Sequence, residues 1–164
     1  MAGLSPARRS ESTLPPSPRD VLAAYHRAML AWSADELASL YAPDAVHEFP
    51  FLAPGRPNRY DGREEIRIGY QAAWSGTSVR LQEIHDVVVF DSTDPEVVIG
   101  QWGATAMSEP GAAPVVVTGL LILRVRDGMI AHALDYMDSL GTFQALGRLP
   151  AVLDSLGVSG IDQS

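Results

Sequence analysis

The fold is decided by residues 97–137, which read VVIGQWGATAMSEPGAAPVVVTGLLILRVRDGMIAHALDYM. Three apolar runs over 97–107, 115–125 and 129–137 are separated by segments that reverse the chain: Glu109 to Pro114 is rich in turn-forming residues, and Asp127-Gly128 is a hairpin signal. A further long strand, Val79 to Phe90, precedes them and is expected to bend. The stretch therefore predicts an antiparallel meander.

Helices are predicted before and after these strands. Ser17-Pro18-Arg19-Asp20 is typical of a helix start, because serine caps the helix and proline suits its first position. A short second helix is predicted from Ser33 through Tyr41, a strand over 45–51, and a third helix from Asp61. Two short helices are predicted over 140–146 and 151–156. Helices on one face of a bent sheet make an α+β fold that encloses an apolar pocket.

Composition excludes several classes of function. The chain has 12 Lys and Arg against 20 Asp and Glu, so its net charge of −8 disfavours nucleic acid and anionic membranes. There is no cysteine for a disulfide or a thiol nucleophile. No signal peptide and no membrane span is recognisable, which predicts a cytoplasmic protein.

We expect a disordered tail over 1–16, one domain over 17–157 and a C-terminal tail over 158–164.

Four motifs occur in a characteristic order between residues 17 and 146: Leu40-Tyr-Ala-Pro-Asp-Ala-Val46, Tyr60-Asp-Gly-Arg-Glu-Glu-Ile66, Arg126-Asp-Gly-Met-Ile130 and Asp135-Tyr-Met-Asp138. Together they resemble the SnoaL-like, nuclear-transport-factor-like superfamily. The resemblance implies a cone-shaped α+β barrel, with a curved, mostly antiparallel sheet wrapped around helices and one apolar pocket. This fold serves isomerases, cyclases, epoxide hydrolases, dehydratases and binding proteins, so it implies no single reaction.

Three groups within that superfamily resemble the chain at different positions. Relative to ketosteroid isomerases, Tyr25 falls on the tyrosine that stabilises an oxyanion, while Phe49 stands where the general-base aspartate would be. Relative to limonene-type epoxide hydrolases, Asp135 falls on the catalytic aspartate of the last strand. Phenazine-biosynthesis PhzA/B proteins resemble residues 136–150, and their final-strand glutamate falls on Asp135, whereas Gly69 replaces their helix-borne histidine. In SnoaL-type cyclases an aspartate of the same last strand is the acid/base, so Asp135 is the position that these cyclases share with the epoxide hydrolases and the phenazine proteins.

Asp135 is also the strongest candidate on physical grounds. Side chains alternate along a strand, so one face of the last strand is expected to carry Met129, Ala131, Ala133, Asp135 and Met137. Apolar neighbours should raise the pKa of this carboxyl above about 3.9, towards the range useful for acid/base catalysis. The alternative is a structural carboxylate bonded to a backbone N–H or a helix end.

The opposite face of the last strand is expected to carry Ile130, His132, Leu134 and Tyr136. This face favours a homodimer through the outer side of the sheet.

His47 and Tyr25 are the two further catalytic candidates. His47 shares a strand face with Phe49 and is expected to relay a proton with Asp135 or to orient a substrate oxygen. The alternative is a histidine at the rim, satisfied by solvent or by Glu48. Tyr25 lies on the apolar stripe of the first helix, where its hydroxyl would donate to an oxyanion or simply belong to the core.

The remaining pocket residues are expected to supply shape and apolar contact. They are Phe49, Phe51, Met29, Tyr70, Trp102, Thr118 and Met137. No metal site is predicted, because no histidine is spaced as a ligand with a carboxylate, and no cofactor motif is present.

The sequence supports a cofactor-independent acid/base enzyme acting on a hydrophobic cyclic or polyketide-like small molecule. Cyclisation, isomerisation, dehydration or epoxide opening would all use these groups, and secondary metabolism is the implied setting. The alternatives are a non-catalytic small-molecule binding or carrier protein with the same pocket, and an assembly domain acting through the outer sheet face.

Overall fold

The computed structural model describes residues 14–51 and 57–157. In chain order the elements are α1 (Pro18–Ala31), α2 (Ala34–Ser39), β1 (Tyr41–Glu48), β2 (Arg59–Asp61), α3 (Arg63–Ser75), β3 (Arg80–Asp91), β4 (Val97–Met107), β5 (Val115–Arg126), β6 (Met129–Met137), α4 (Ser139–Ala145) and α5 (Leu149–Ser155). Residues 1–13 of the tail predicted over 1–16, the whole tail predicted over 158–164, and most of the loop predicted over 53–58 lie outside the described residues.

The strands form one six-stranded sheet in the order β2-β1-β6-β5-β4-β3. The predicted meander is confirmed, since each strand from β3 to β6 pairs antiparallel with the next. β1 pairs parallel with β6, so the sheet is mixed, and it is not closed into a barrel. The predicted bend of β3 is present as two register shifts, and Asp86, which lies within the second shift, has a positive φ of 52°. The predicted α+β class is confirmed.

The helix starts follow the capping signals. Ser17 and Asp20 form a complete capping box at α1, with Pro18 at the first position. Ser33 accepts a hydrogen bond from the Glu36 N–H at the start of α2. The predicted end of α2 was wrong: the helix ends at Ser39, and Tyr41 begins β1, because the backbone around Leu40 pairs with Ile130 of β6.

The short strand β2 was not predicted from the sequence. The turn that follows it depends on Gly62. Gly62 has a φ of 90° and donates its N–H to the Ala45 carbonyl at 2.7 Å. A Cβ at this position would lie 3.3 Å from the Pro43 carbonyl oxygen. Glycine therefore lets the chain leave the sheet edge and enter α3.

The first three helices and the inner face of the sheet form the core. Its largest fully buried side chains are Tyr41, Leu22, Leu37, Ile66, Leu121, Leu123, Ile130, His47 and Val98. The outward position predicted for Ile130 was wrong. Val125 pairs with Ile130 while Arg124 pairs with His132, so the register shifts and Ile130 turns inward. Beyond this irregularity Ala133 and Asp135 face inward, as predicted.

No helix within the described ranges is both long enough and apolar enough to cross a membrane.

Candidate active site

His47 is the polar side chain that lies deepest in the core. In β1, Ala45 and His47 are buried on the inner face, and Glu48 lies on the other side. Glu48 accepts hydrogen bonds from Arg59 at 2.6 Å and from His132 at 3.0 Å. These pairs and the full burial of His47 exclude the alternative of a rim histidine held by Glu48. The ring of Phe49 packs against the imidazole with centroids 4.5 Å apart, as the shared strand face predicted.

Asp135 lies beside His47 because β6 is the parallel neighbour of β1. His47 pairs with Ala133, and Asp135 follows on the same inward row. The two side chains approach to 3.9 Å between His47 Nε2 and Asp135 Oδ2. Asp135 is 9% exposed, and its Oδ1 atom is buried without a hydrogen-bond partner among the described residues. The alternative of a carboxylate satisfied by a backbone N–H therefore fails; Asp138 instead caps α4 by accepting from the Gly141 N–H.

Burial decides the protonation of this pair. Desolvation raises the pKa of Asp135 from 3.8 to about 7. Desolvation, with a smaller contribution from the positive charge of His132, lowers the pKa of His47 from 6.5 to about 3. The two groups are within ion-pair distance, yet the imidazole stays neutral at neutral pH, so they do not form an ion pair there. Asp135 is the member of the pair that gains and loses a proton near pH 7.

Two tyrosine hydroxyls contact the imidazole, and a third bonds to one of them. Tyr41 Oη lies 2.7 Å from His47 Nδ1, Tyr70 Oη lies 3.3 Å from Nε2, and Tyr25 Oη lies 3.0 Å from Tyr70 Oη. Burial is the largest cause that raises the pKa values of Tyr25 and Tyr41 well above 10, so both remain phenols at neutral pH. Tyr41 was not selected from the sequence, because it was placed at the end of α2 rather than in β1.

The arrangement combines one titrating carboxyl with several neutral hydrogen-bond donors in an apolar environment. Such a set can transfer a proton at Asp135 and stabilise negative charge on a nearby oxygen. Arg63 donates from Nε to the Tyr41 carbonyl at 2.7 Å and thereby ties α3 to β1. Among the residues that the structure covers, no three His, Asp or Glu side chains are grouped to hold a metal ion.

The predicted pocket residues divide between the two faces of the sheet. Met29, Phe49 and Trp102 are half-buried and pack against the core, and Tyr70 is buried within it. Thr118 is three residues from the inward-facing Leu121, and side chains alternate along a strand, so Thr118 points to the outer face. Its partner on β4 is Gly103. Phe51 is 64% exposed and contacts Tyr136 on that same outer face. The structure thus does not bring Thr118 and Phe51 to Asp135.

A large cavity lies on the outer side of the sheet, between the strands and the segment that carries α4 and α5. Its volume is about 1080 Å³, and Asp135 does not line it. Its apolar lining includes Phe51, Val116, Leu120, Tyr136, Leu140 and Leu156. Met137, the last residue of β6, also contributes to this cavity. Trp102, which packs against the core, lines this cavity as well, so the outer cavity and the core share that side chain.

Comparison with known proteins gives the same fold. Residues 22–133 match the family model described as the SnoaL-like domain. An uncharacterised PhzA/B-like protein of Pseudomonas aeruginosa is 30% identical over 112 residues, which cover 68% of this chain and 77% of that protein.

Two solved structures illustrate the structural likeness. A Bacillus subtilis protein provisionally described as an isomerase aligns with a TM-score of 0.70 at 24% identity, over 79% of this chain and 92% of its own. A Xanthomonas campestris protein provisionally described as a polyketide cyclase aligns with a TM-score of 0.61 at 22% identity, over 77% and 93%. These two structural alignments show that the fold is shared. The match to the family model and the 30% identity to the Pseudomonas aeruginosa protein show common ancestry. The chain belongs to the SnoaL-like domain family.

Proposed function

We propose that this protein is a cofactor-independent enzyme of the cyclase or isomerase type, acting on a hydrophobic cyclic or polyketide-like small molecule. The observation that carries the proposal is the buried carboxyl of Asp135. Its pKa is raised to about 7, and its Oδ1 atom has no partner among the described residues. A buried acid with a perturbed pKa is a functional-site candidate. The provisional descriptions of the similar structures as an isomerase and a polyketide cyclase support the same reaction class.

The proposed chemistry is proton transfer next to a carbonyl group. The Asp135 carboxylate takes a proton from the C–H bond next to the carbonyl. The electron pair of that bond forms a C=C bond, and the π pair of the carbonyl moves to its oxygen. Neutral donors beside the carboxyl, Tyr70 and His47, stabilise the oxyanion, and Tyr25 supports Tyr70 through their hydrogen bond. The protonated Asp135 then returns its proton at another carbon. Alternatively, the enolate carbon closes a ring by attacking a second carbonyl, and the alkoxide formed there takes the proton back from Asp135. Phe49, Met29 and Trp102 would supply the apolar wall.

A binding or carrier function is the second candidate, and the outer cavity favours it. A space of about 1080 Å³ that does not include Asp135 would accept a hydrophobic ligand without exposing it to the acid. Native mass spectrometry separates the two candidates: an unaltered ligand lost on Leu120→Glu but retained on Asp135→Asn would favour a carrier.

The acid/base proposal is tested without knowing the natural substrate. Cyclic ketones and poly-β-keto compounds are incubated with the protein in D₂O, and deuterium uptake at carbons next to carbonyls is followed by mass spectrometry. We expect exchange above the buffer rate for at least one compound, because proton abstraction precedes both isomerisation and cyclisation. Uptake at the buffer rate across both compound classes would contradict the proposal.

The pH dependence of that exchange follows from the pKa values of the pair. With Asp135 as the base, kcat/KM should rise with pH and level off above an inflection near pH 7. His47, whose pKa is lowered to about 3, should add no second inflection between pH 5 and 8. A rate that falls through pH 7 would show that Asp135 acts first as an acid.

We also propose that the protein forms a homodimer through the outer sheet face. Phe51, Val88, Phe90, Val116 and Leu140 are exposed apolar side chains on or beside this face. A concentration of exposed apolar side chains on one face is typical of an interface rather than of a monomer surface. A twofold axis would bring the same patch of each copy together.

The dimer is tested with Val116→Glu, which places a charge at a position that is 61% exposed in one chain. Because a twofold axis buries the charge twice, we expect the dissociation constant to rise at least about 100-fold. Ile68→Glu on α3, at a site 53% exposed but away from the sheet, is the matched control and should leave the mass unchanged. Sedimentation analysis decides, and a wild-type monomer at micromolar concentration would refute the interface.

A further inference from the structure

The contacts of the His47 imidazole define which of its nitrogens carries the proton. A neutral imidazole has one N–H donor and one acceptor nitrogen. Nδ1 lies 2.7 Å from the Tyr41 hydroxyl, while Nε2 faces Tyr70 Oη at 3.3 Å and Asp135 Oδ2 at 3.9 Å. Both nitrogens therefore face a phenol, but only Nε2 also faces a carboxyl.

Tyr41 is held firmly in the position from which it contacts Nδ1. Its side chain is fully buried, and its backbone pairs with Ile130 of the neighbouring strand. Its carbonyl accepts the Arg63 Nε–H bond at 2.7 Å. Strand pairing and this bond to α3 together leave the phenol little freedom to turn away from the imidazole.

The direction of the Tyr41–His47 bond follows from the carboxyl on the far side of the ring. If Nδ1 carried the proton, the lone pair of Nε2 would face the negative charge of ionised Asp135, which is unfavourable in an apolar environment. If Tyr41 donates to Nδ1, the Nε2–H group faces Tyr70 and the carboxylate, and both interactions are attractive. The second arrangement is favoured whenever Asp135 is ionised.

We propose that Tyr41 is a positioning residue that holds His47 as the Nε2–H tautomer, so that the ring acts as a hydrogen-bond donor beside Asp135. Its effect on catalysis rests on the proposed function, while its effect on the ring does not. The inference also revises the expected role of His47 from proton relay to neutral donor. The hydrogen bond made by one ring nitrogen commonly sets the state of the other.

The tautomer is measured directly by long-range ¹H–¹⁵N NMR of protein labelled with ¹⁵N-histidine at pH 8. His47 is assigned among the four histidines by comparison with His47→Gln. We expect wild-type His47 to show the Nε2–H pattern in excess of roughly tenfold, which is the scale of one net hydrogen bond. A wild-type Nδ1–H pattern would overturn the inference, and this measurement needs neither a variant at Tyr41 nor a substrate.

Tyr41→Phe removes only the hydroxyl and provides the second measurement. We expect the ratio of Nε2–H to Nδ1–H to fall roughly tenfold, the scale of one net hydrogen bond, while ionised Asp135 keeps Nε2–H as the major form. We expect kcat to fall by a similar factor with little change in KM. Tyr136→Phe, which removes a tyrosine hydroxyl on the outer face of the sheet beside Phe51, is the matched control and should keep the Nε2–H pattern. An unchanged ratio of the two tautomers in Tyr41→Phe would overturn the inference.

The two proposals fail separately. If no variant and no wild-type sample turns over any compound, the enzyme proposal fails, and the NMR pattern still decides the role of Tyr41. If Asp135→Asn abolishes turnover but the wild-type ring is Nδ1–H, the Tyr41 inference fails and the enzyme proposal stands.

Discussion

Asp135→Asn is expected to lower kcat by at least about 100-fold, the usual scale of a general acid/base group. Asparagine has nearly the same shape, but it can neither accept nor release the proton that a carboxyl exchanges near pH 7. The side chain is almost fully buried, so the substitution changes the chemistry of the site with little change in its volume. The measurement is the deuterium-exchange rate at saturating substrate, with circular dichroism to show that the fold is retained.

The matched control is the same substitution at Asp44, an exposed residue of the same sheet. Asp44→Asn removes one negative charge from the protein without touching the buried group, so its rate should stay within about twofold of wild type. A similar loss in both variants would indicate an effect of net charge. A wild-type rate in Asp135→Asn would contradict the assignment of Asp135 as the general acid/base group.

The same substitution should have a large effect on stability, and its sign depends on pH. The folded-state pKa of Asp135 is raised from 3.8 to about 7, so the ionised form is disfavoured by folding. Below pH 4 both folded and unfolded chains hold the proton, and its stabilising effect is fully present. Between pH 4 and 7 only the unfolded chain loses the proton, so the free energy of unfolding falls as pH rises. At pH 8 the accumulated loss is about 4 kcal/mol, from 1.36 kcal/mol per unit of pKa.

Asp135→Asn removes this loss. The difference in unfolding free energy between variant and wild type should therefore grow by about 4 kcal/mol, in favour of the variant, between pH 4 and pH 8. Burying the amide adds an offset that is the same at every pH, so the change with pH is the quantity to measure. Urea unfolding at several pH values provides it, and a difference that stays flat would show that the carboxyl is not desolvated in the folded chain.

His47 acts in the opposite direction and masks the effect in wild type. Its pKa is lowered to about 3 on folding, so its stabilising contribution is present above pH 6.5 and is lost as pH falls towards 3. Between pH 4 and 6.5 the two slopes nearly cancel. In Asp135→Asn the histidine slope remains alone, so the variant should lose stability steeply on acidification, whereas Asp44→Asn should follow the wild-type curve.

At physiological pH the buried Asp135 carboxyl lowers the free energy of unfolding by about 4 kcal/mol. At this position, therefore, stability and catalytic activity favour different residues. Apolar or amide replacements would be expected to stabilise the chain, and the acid is retained where a reaction needs it. This opposition is itself a test, because a carrier protein would gain stability from Asp135→Asn and lose no binding.

Much of the fold and part of the site were predictable from local sequence. Ser17 and Asp20 predicted the start of α1, and Asp127-Gly128 predicted the last hairpin. Period-two alternation placed Asp135 on the inner row and His47 with Phe49. Alternation also misassigned Ile130, because a register shift against β5 reverses the parity there, and such a shift depends on the partner strand.

The sequence alone determined which side chains are chemically capable: one carboxyl on an apolar row, one histidine on an inward strand face, and tyrosines on helix stripes. Capping, turns and alternation are local interactions, and they are visible in a few consecutive residues. Tertiary structure alone decided that β1 lies parallel to β6 and brings His47 to 3.9 Å from Asp135, and that Tyr41 reaches Nδ1. It also decided the protonation states, because a pKa depends on how completely distant segments remove water from the group.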